Sequence, residues 1–168
     1  MKLNLGCGHK HLEGYVNVDV DPACLPDVDA ELGELPFPDD SVDEILAVHV
    51  FEHIWKVDVP ETLREWKRCL KPGGLLVLEL PCLDKIIRNF VVYDKPTPQL
   101  TTWGLFGDPD TLTSHNVYAL HKHCYSYNEI VAVLRNEGFK DVAILEPNFH
   151  VKVRDMRIEG HKPNAIRA

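Results

Sequence analysis

No apolar run in this sequence approaches the about 20 residues that a membrane-spanning helix needs. The opening Met-Lys-Leu-Asn-Leu-Gly is too short an apolar stretch for a secretory signal, so the expected location is the cytoplasm. No Cys-x-x-Cys pair occurs among the five cysteines, Cys7, Cys24, Cys69, Cys82 and Cys124. Their odd number argues against a disulfide framework and for a reducing compartment. They read as small apolar side chains, apart from Cys7, which sits inside a glycine turn. Basic residues are in deficit: 18 Lys and Arg against 26 Asp and Glu give a formal charge of −8. The average field repels nucleic acid, and both basic stretches (Lys67, Arg68 and Lys71, then residues 154–167) are interrupted by acids or apolar residues. Neither nucleic acid nor a membrane is expected as a partner. Repeats and linkers are also lacking, and 168 residues suit one domain, 1–168, with a real core.

What is present alternates between strand and helix patterns. Residues 2–5 form a short β run that ends in Gly6. Residues 15–19 alternate and stop at Asp21-Pro22, which predicts a second strand. Residues 42–48 predict a third. Residues 60–70 predict a helix capped by Asp58, with Pro60 in its first turn and Leu63, Trp66 and Leu70 on one face. "LKPGG" is a tight turn, and the apolar 75–80 run reads as a central strand buried on both faces. Residues 83–90 suit a helix, and a long Pro-, Gly- and Thr-rich segment follows. Loops of such length in a compact domain are functional or disordered, and Trp103, Leu105 and Phe106 argue against disorder. Ser126 to Glu129 is a capping box that opens a helix ended by Gly138. Residues 139–146 and 151–159 predict two final strands. Strands separated by helices in this order imply an α/β layer fold.

The chemistry concentrates at the strand ends. Gly6 and Gly8 directly follow the first strand, where glycine lets the backbone turn sharply and approach a ligand. Asp19 ends the second strand, where an acid can accept ribose hydroxyls or cap the following turn. Glu31 precedes "LPF".

Taken in order, "LNLGCG", "VNVDVDP", "AELGELPFPDDSVDEI", "HVFEHI", "EWKRCLKPGGLLVLELP" and "YSYNEIVAVLRNEGF" resemble the class I S-adenosylmethionine-dependent methyltransferases. The likeness is greatest to a small subgroup that opens with "LNLGCG…G-x-VN-x-D". The resemblance implies a Rossmann-like methyltransferase fold: a mostly parallel central sheet with an antiparallel last strand. It implies S-adenosylmethionine as cofactor and S-adenosylhomocysteine as product. Gly6, Cys7 and Gly8 match the turn beside the cofactor's amino-acid part. Asp19 matches the ribose acid and Val20 flanks the adenine. Glu31 matches the adenine-side acid, with Leu32 beside it. His49 falls where the family lines the cofactor near its methyl group.

The sequence departs from that pattern in three places. His9 and Lys10 follow Gly8 where a third glycine is usual. The helix between the first two strands is missing, and so are helices before the first strand. Residues 9–15 fully extended span roughly 23 Å, and the first strand is about 13 Å long. An extended return is therefore possible, though a helical one is not. The sheet face that the helix would cover is then left to residues 83–122, which read as an acceptor-side cap, or to a second subunit in a homodimer.

Nine histidines invite a metal reading. "HVFEH" (His49, Glu52, His53) matches a His-x-x-Glu-His zinc motif, but no third ligand stands nearby in a helical context. His9 with His11, and His121 with His123, read as loop side chains, so no metal is expected. A histidine can instead serve as general base toward a hydroxyl acceptor, and His53, His115 and His123 are the candidates. The expected function is methyl transfer to an oxygen or nitrogen of a small acceptor, with sugar or surface-polysaccharide precursors suggested by the resemblance. The second reading is a catalytically inactive relative that binds cofactor as a regulator or interaction module. A dinucleotide-dependent oxidoreductase fits less well, because His11 stands where its fingerprint needs glycine.

Overall fold

The structure is a computed structural model that describes residues 1–111 and 119–164. Its strands are β1 (Lys2–Leu5), β2 (Val16–Asp19), β3 (Val28–Asp29), β4 (Val42–Val48), β5 (Leu70–Pro81), β6 (Lys140–Leu145) and β7 (Asp155–His161). Its helices are α1 (Val59–Cys69), α2 (Leu83–Val92), α3 (Thr102–Phe106) and α4 (Tyr127–Asn136). The strands form one sheet in the order β3-β2-β1-β4-β5-β7-β6. β1 to β5 run parallel, and β7 enters antiparallel between β5 and β6. This is the expected Rossmann-like methyltransferase arrangement. Among the described residues, no helix is long and apolar enough to cross a membrane.

One sheet face builds the core. Side chains alternate along each strand, so Leu3, Leu5, Ile45, Ala47, Leu76, Leu78, Leu80, Met156 and Ile158 share a face. α1 adds Leu63, Trp66 and Cys69, and α4 adds Ile130 and Leu134. Trp66 is fully buried, and its indole N–H donates to the Leu32 carbonyl at 2.8 Å. That bond ties the loop after β3 to α1.

The opposite face carries Asn4, Asn17, Glu44, Leu46, Val77, Glu79, Arg157 and Glu159, by the same alternation. The crossover helix that would cover it is indeed missing. Residues 83–122 or a second subunit were expected to fill in, but the chain supplies other cover. Tyr15 lies over this face, with its hydroxyl on Glu44 and the Lys2 ammonium 5.4 Å from its ring centre. Glu79 is fully buried and accepts from the amides of Asn148 and Phe149 at 2.7 and 2.9 Å, and from Arg157 Nη1 at 3.0 Å. Glu79 and Arg157 stand directly opposite in the ladder, and Arg157 also bonds Glu159. Beneath this polar cover Val77 is fully buried and Leu46 nearly so. Among the described residues, the sheet face for which a homodimer was considered thus carries cover from the chain itself.

The shortened connection from β1 to β2 is held by the same face. Asn4 Nδ2 donates to the Lys10 carbonyl and to Asn17 Oδ1, each at 3.0 Å. Asn17 Oδ1 also accepts from the Leu12 amide at 2.8 Å. Two asparagines at strand centres thus bond the loop's backbone groups, as buried polar groups require.

Several local expectations need correction. Asp58 precedes α1 but makes no side-chain cap bond. Ser126 Oγ does accept from the Glu129 amide at 3.2 Å, but the Glu129 carboxylate is taken by Lys56 and His123 rather than returning to Ser126. The last strand begins at Asp155, not Val151, because residues 146–154 form the loop that Glu79 anchors. Phe106 is exposed and so does not anchor the long segment; Gly104 does, packed so closely on Ile86 and Arg154 that a Cβ would not fit.

Candidate functional site

A cavity of about 450 Å³ opens at the carboxyl ends of the strands. Gly6, Asp19, Val20, Glu31, Leu32, His49 and His53 line it, and they come from separate segments of sequence. Gly33, Val50, Ile54, Trp55, Asp58, Thr62 and Lys122 complete the wall. Sequence reasoning singled out none of this second group as lining a site, Asp58 having been read only as a helix cap. A second cavity of about 440 Å³ adjoins it and is lined by Gly6, Cys7, Gly8, His49, Phe149 and His150, among others. Cys7 and Gly8 thus border the neighbouring space, while Gly6 and His49 border both.

Gly6 must be glycine on two counts. Its φ is +60°, and an added Cβ would run into the Val50 side chain. The turn then closes on β2. The Cys7 amide donates to the Val18 carbonyl at 3.0 Å, and the Gly8 amide donates to Asp19 Oδ2 at 2.7 Å. Asp19 Oδ1 accepts from the Asp21 amide at 3.0 Å. Asp19 therefore both caps its turn and borders the cavity, and a carboxylate's remaining lone pairs can take further donors. Glu31 is exposed at the rim, and Leu32 is half-buried beside it.

Lys122 roofs the cavity from above Trp55, its ammonium 5.1 Å from the ring centre. The Lys122 and His123 amides both donate to the Glu52 carbonyl, at 2.8 and 3.3 Å. Residues 119–123 are thereby tied to residues 51–53.

The three histidine candidates separate. His53 lines the cavity, and its Nδ1 bonds the Leu120 carbonyl at 3.1 Å, which leaves Nε2 for other chemistry. His123 is held away, its Nε2 bonded to Glu129 Oε1 at 2.9 Å at the start of α4. His115 lies outside the described residues.

His49 is a strongly perturbed group. It follows β4 with φ +54°, and its ring reaches between two carboxylates. Nδ1 lies 3.0 Å from Glu52 Oε1, and Nε2 lies 3.1 Å from Asp155 Oδ2. Burial opposes its charge, but Glu52 and Asp155 outweigh burial and raise the imidazole to about 9. Burial alone would raise Glu52; the nearby His49 instead holds it below the usual carboxylate range. Arg154 grips Asp155 through two bonds, at 2.5 and 2.8 Å. Asp155 gave no signal in the sequence, and the pairing of His49 and Glu52 with His121 was not readable there, because these groups meet only after folding.

Known proteins resemble this chain in sequence and in fold. A family profile described as "Methyltransferase domain" matches residues 3–78. A "Probable S-adenosylmethionine-dependent methyltransferase" of Mycobacterium tuberculosis is 30% identical over 127 residues, covering 76% of this chain and 37% of that protein. A similarly described protein of Mycolicibacterium smegmatis is 33% identical over 101 residues, covering 47% of this chain and 37% of that protein. The chain therefore spans little more than a third of the length of these curated relatives. Among solved structures, a SAM-dependent methyltransferase from Archaeoglobus fulgidus superposes with a TM-score of 0.63 at 17% identity, covering 96% of this chain and 85% of that one. One from Methanosarcina mazei gives 0.63 at 18% identity, covering 97% and 92%. Residues 3–78 thus resemble the methyltransferase-domain family, and the fold is that of solved SAM-dependent methyltransferases.

Proposed function

We propose that this chain is an active methyl-transferring domain that binds S-adenosylmethionine in the strand-end cavity and passes its methyl group to an oxygen or nitrogen of a small acceptor. The observation that carries this reading is the convergence of Gly6, Asp19, Glu31, Leu32 and His49 on one cavity. Asp19 takes the ribose hydroxyls, Glu31 and Leu32 flank the adenine beside Val20, and the turn of Gly6, Cys7 and Gly8 borders the methionine part. Methyl transfer from a sulfonium is an in-line displacement with an activated donor, so the protein mainly aligns and desolvates the reactants. His53 receives the acceptor's proton on Nε2. Residues 83–122 form the acceptor-side cap, and a sugar or polysaccharide precursor is the acceptor class. The missing glycine and helix, which favour an inactive relative, are compensated by the bonds from Asn4, Asn17 and Asp19 that fix the short turn.

Calorimetric titration with S-adenosylmethionine and S-adenosylhomocysteine tests the reading. Binding by the wild type is expected, with a loss of at least about tenfold in Asp19→Ala, the effect of removing charged hydrogen bonds to two hydroxyls. Asp19→Asn keeps an acceptor for the Gly8 amide and separates turn integrity from ribose recognition. Absence of binding by the folded wild type would sink the proposal. Tight binding with no turnover across a panel of hydroxyl and amine acceptors would favour the regulator.

A further inference from the structure

His49-x-x-Glu52-His53 lacks a third metal ligand nearby in sequence. The fold brings one from the far end of the long segment. His121 Nε2 lies 3.8 Å from Glu52 Oε1, the same oxygen that His49 Nδ1 approaches at 3.0 Å. One ligand atom from each of His49, Glu52 and His121 can be chosen so that all lie within 4.8 Å of one another. Ligands about 2.1 Å from a tetrahedral ion lie about 3.4 Å apart, so the cluster has the size of a coordination sphere.

The hydrogen bonding around the cluster leaves room for a cation at its centre. Glu52 is only 1% exposed, yet among the described residues neither carboxylate oxygen receives a hydrogen bond. His49 Nδ1, 3.0 Å from Oε1, faces it as an ion-pair partner. His121 Nδ1 bonds the Gly104 carbonyl at 3.0 Å. A carbonyl only accepts, so Nδ1 carries the hydrogen and the Nε2 lone pair of the neutral ring faces the Glu52 carboxylate. Two acceptors turned toward each other in a buried place are unfavourable unless a positive charge lies beside them. Protonated His49, 3.0 Å from Oε1, supplies it without an ion, and a cation at the centre would take the place of that proton.

The outer partners are those a metal site uses. His49 turns its far nitrogen, Nε2, to Asp155, which Arg154 holds in place, and His121 turns its far nitrogen to a backbone carbonyl. The main-chain bonds from Lys122 and His123 to the Glu52 carbonyl set His121 against Glu52 without help from any ion.

We propose that His49, Glu52 and His121 form a binding site for a divalent first-row transition cation. Two imidazoles and one carboxylate suit zinc or its neighbours, whereas magnesium and calcium prefer oxygen ligands alone. Three protein ligands leave a position open, and His49 borders the cavity, so an acceptor oxygen can complete the sphere. That use in catalysis rests on the function proposed above; the cation site does not.

The test uses the full chain, stripped with chelator and titrated with zinc chloride by calorimetry without S-adenosylmethionine. One equivalent is expected to bind, and cobalt(II) in its place is expected to give visible bands of low-symmetry nitrogen and oxygen ligation. Glu52→Gln and His121→Asn should each weaken zinc at least tenfold, while His9→Ala and His11→Ala leave it unchanged. Magnesium at the same concentration should give no heat. Circular dichroism checks each variant's fold; should the buried Glu52→Gln fail, His121→Asn on its loop carries the comparison. No zinc binding by the wild type, or binding retained in folded His121→Asn, would overturn the site. A parallel S-adenosylmethionine titration on stripped protein keeps the two proposals apart, since zinc can bind where cofactor does not and the reverse.

Discussion

The amide of Gly8 donates to Asp19 Oδ2 at 2.7 Å, so the acid at the end of β2 also closes the turn that follows β1. One side chain thereby links the two ends of a connection that has no helix. The first prediction compares the turn's glycines. Gly8 has φ +50° and open space around it, so Gly8→Ala meets only backbone strain, about 1–2 kcal/mol. Gly6 adds a clash with Val50, which contributes a further roughly 1–3 kcal/mol. Urea denaturation should rank Gly6→Ala well below Gly8→Ala. Equal effects would refute the assigned clash.

Asn4 and Asn17 should act as a unit. Each alanine substitution leaves partly buried backbone groups of the loop unpaired, at about 1 kcal/mol. Because Asn4 also donates to Asn17, the double variant should lose less than the sum of the singles. A double-mutant cycle by denaturation reads the coupling, and strict additivity would contradict it.

Glu79→Ala should be among the most damaging surface-remote changes. It leaves a mostly buried Arg157 and two loop amides without their acceptor, at about 3–5 kcal/mol. Hydrogen exchange should speed at Asn148 and Phe149 beyond what the global destabilisation explains. Unchanged exchange at those two amides would show that Glu79 does not pin the loop.

The acid side of the stability curve has a specific contributor. Lys71, bonded at 2.7 Å, holds the Asp43 carboxyl at about 2, below its ordinary 3.8. A depressed acid stabilises the fold above the unfolded value and loses that contribution as the pH falls through the folded one. Asp43→Asn should therefore flatten stability between pH 3.8 and 2, a small effect for an exposed pair. An identical pH profile in wild type and variant would disprove it.

Burial raises the Cys7 thiol to about 11 and the Cys124 thiol to about 12. Both should resist iodoacetamide at neutral pH in the native protein and react once urea unfolds it, since the thiolate is the nucleophile. Mass spectrometry of the labelled peptides decides this, and fast native labelling of either would exclude a raised thiol there.

The strands and helices whose pattern repeats were legible in the sequence. Val42–Val48 appears as expected, and Gly138 ends α4 with φ +87°. β3 was invisible because two residues carry no period. Glu79 looked like a lone interruption in an apolar run, since its partners are about 70 positions away along the chain. The cavity acids were readable because their spacing follows the strands. His121 was not, because only the folded segment brings it to Glu52.

The polar underside of the sheet also bears on how such a shortened chain can change. A helix reinserted between Gly8 and Tyr15 would have to lie on Glu44, Glu79, Arg157 and Glu159, burying charges that now partner one another and the 146–151 loop. Regaining the helix would require several of these positions to turn apolar together, while each single reversion leaves a charge unpaired. The asparagines and ion pairs that hold the short connection therefore also stand against lengthening it.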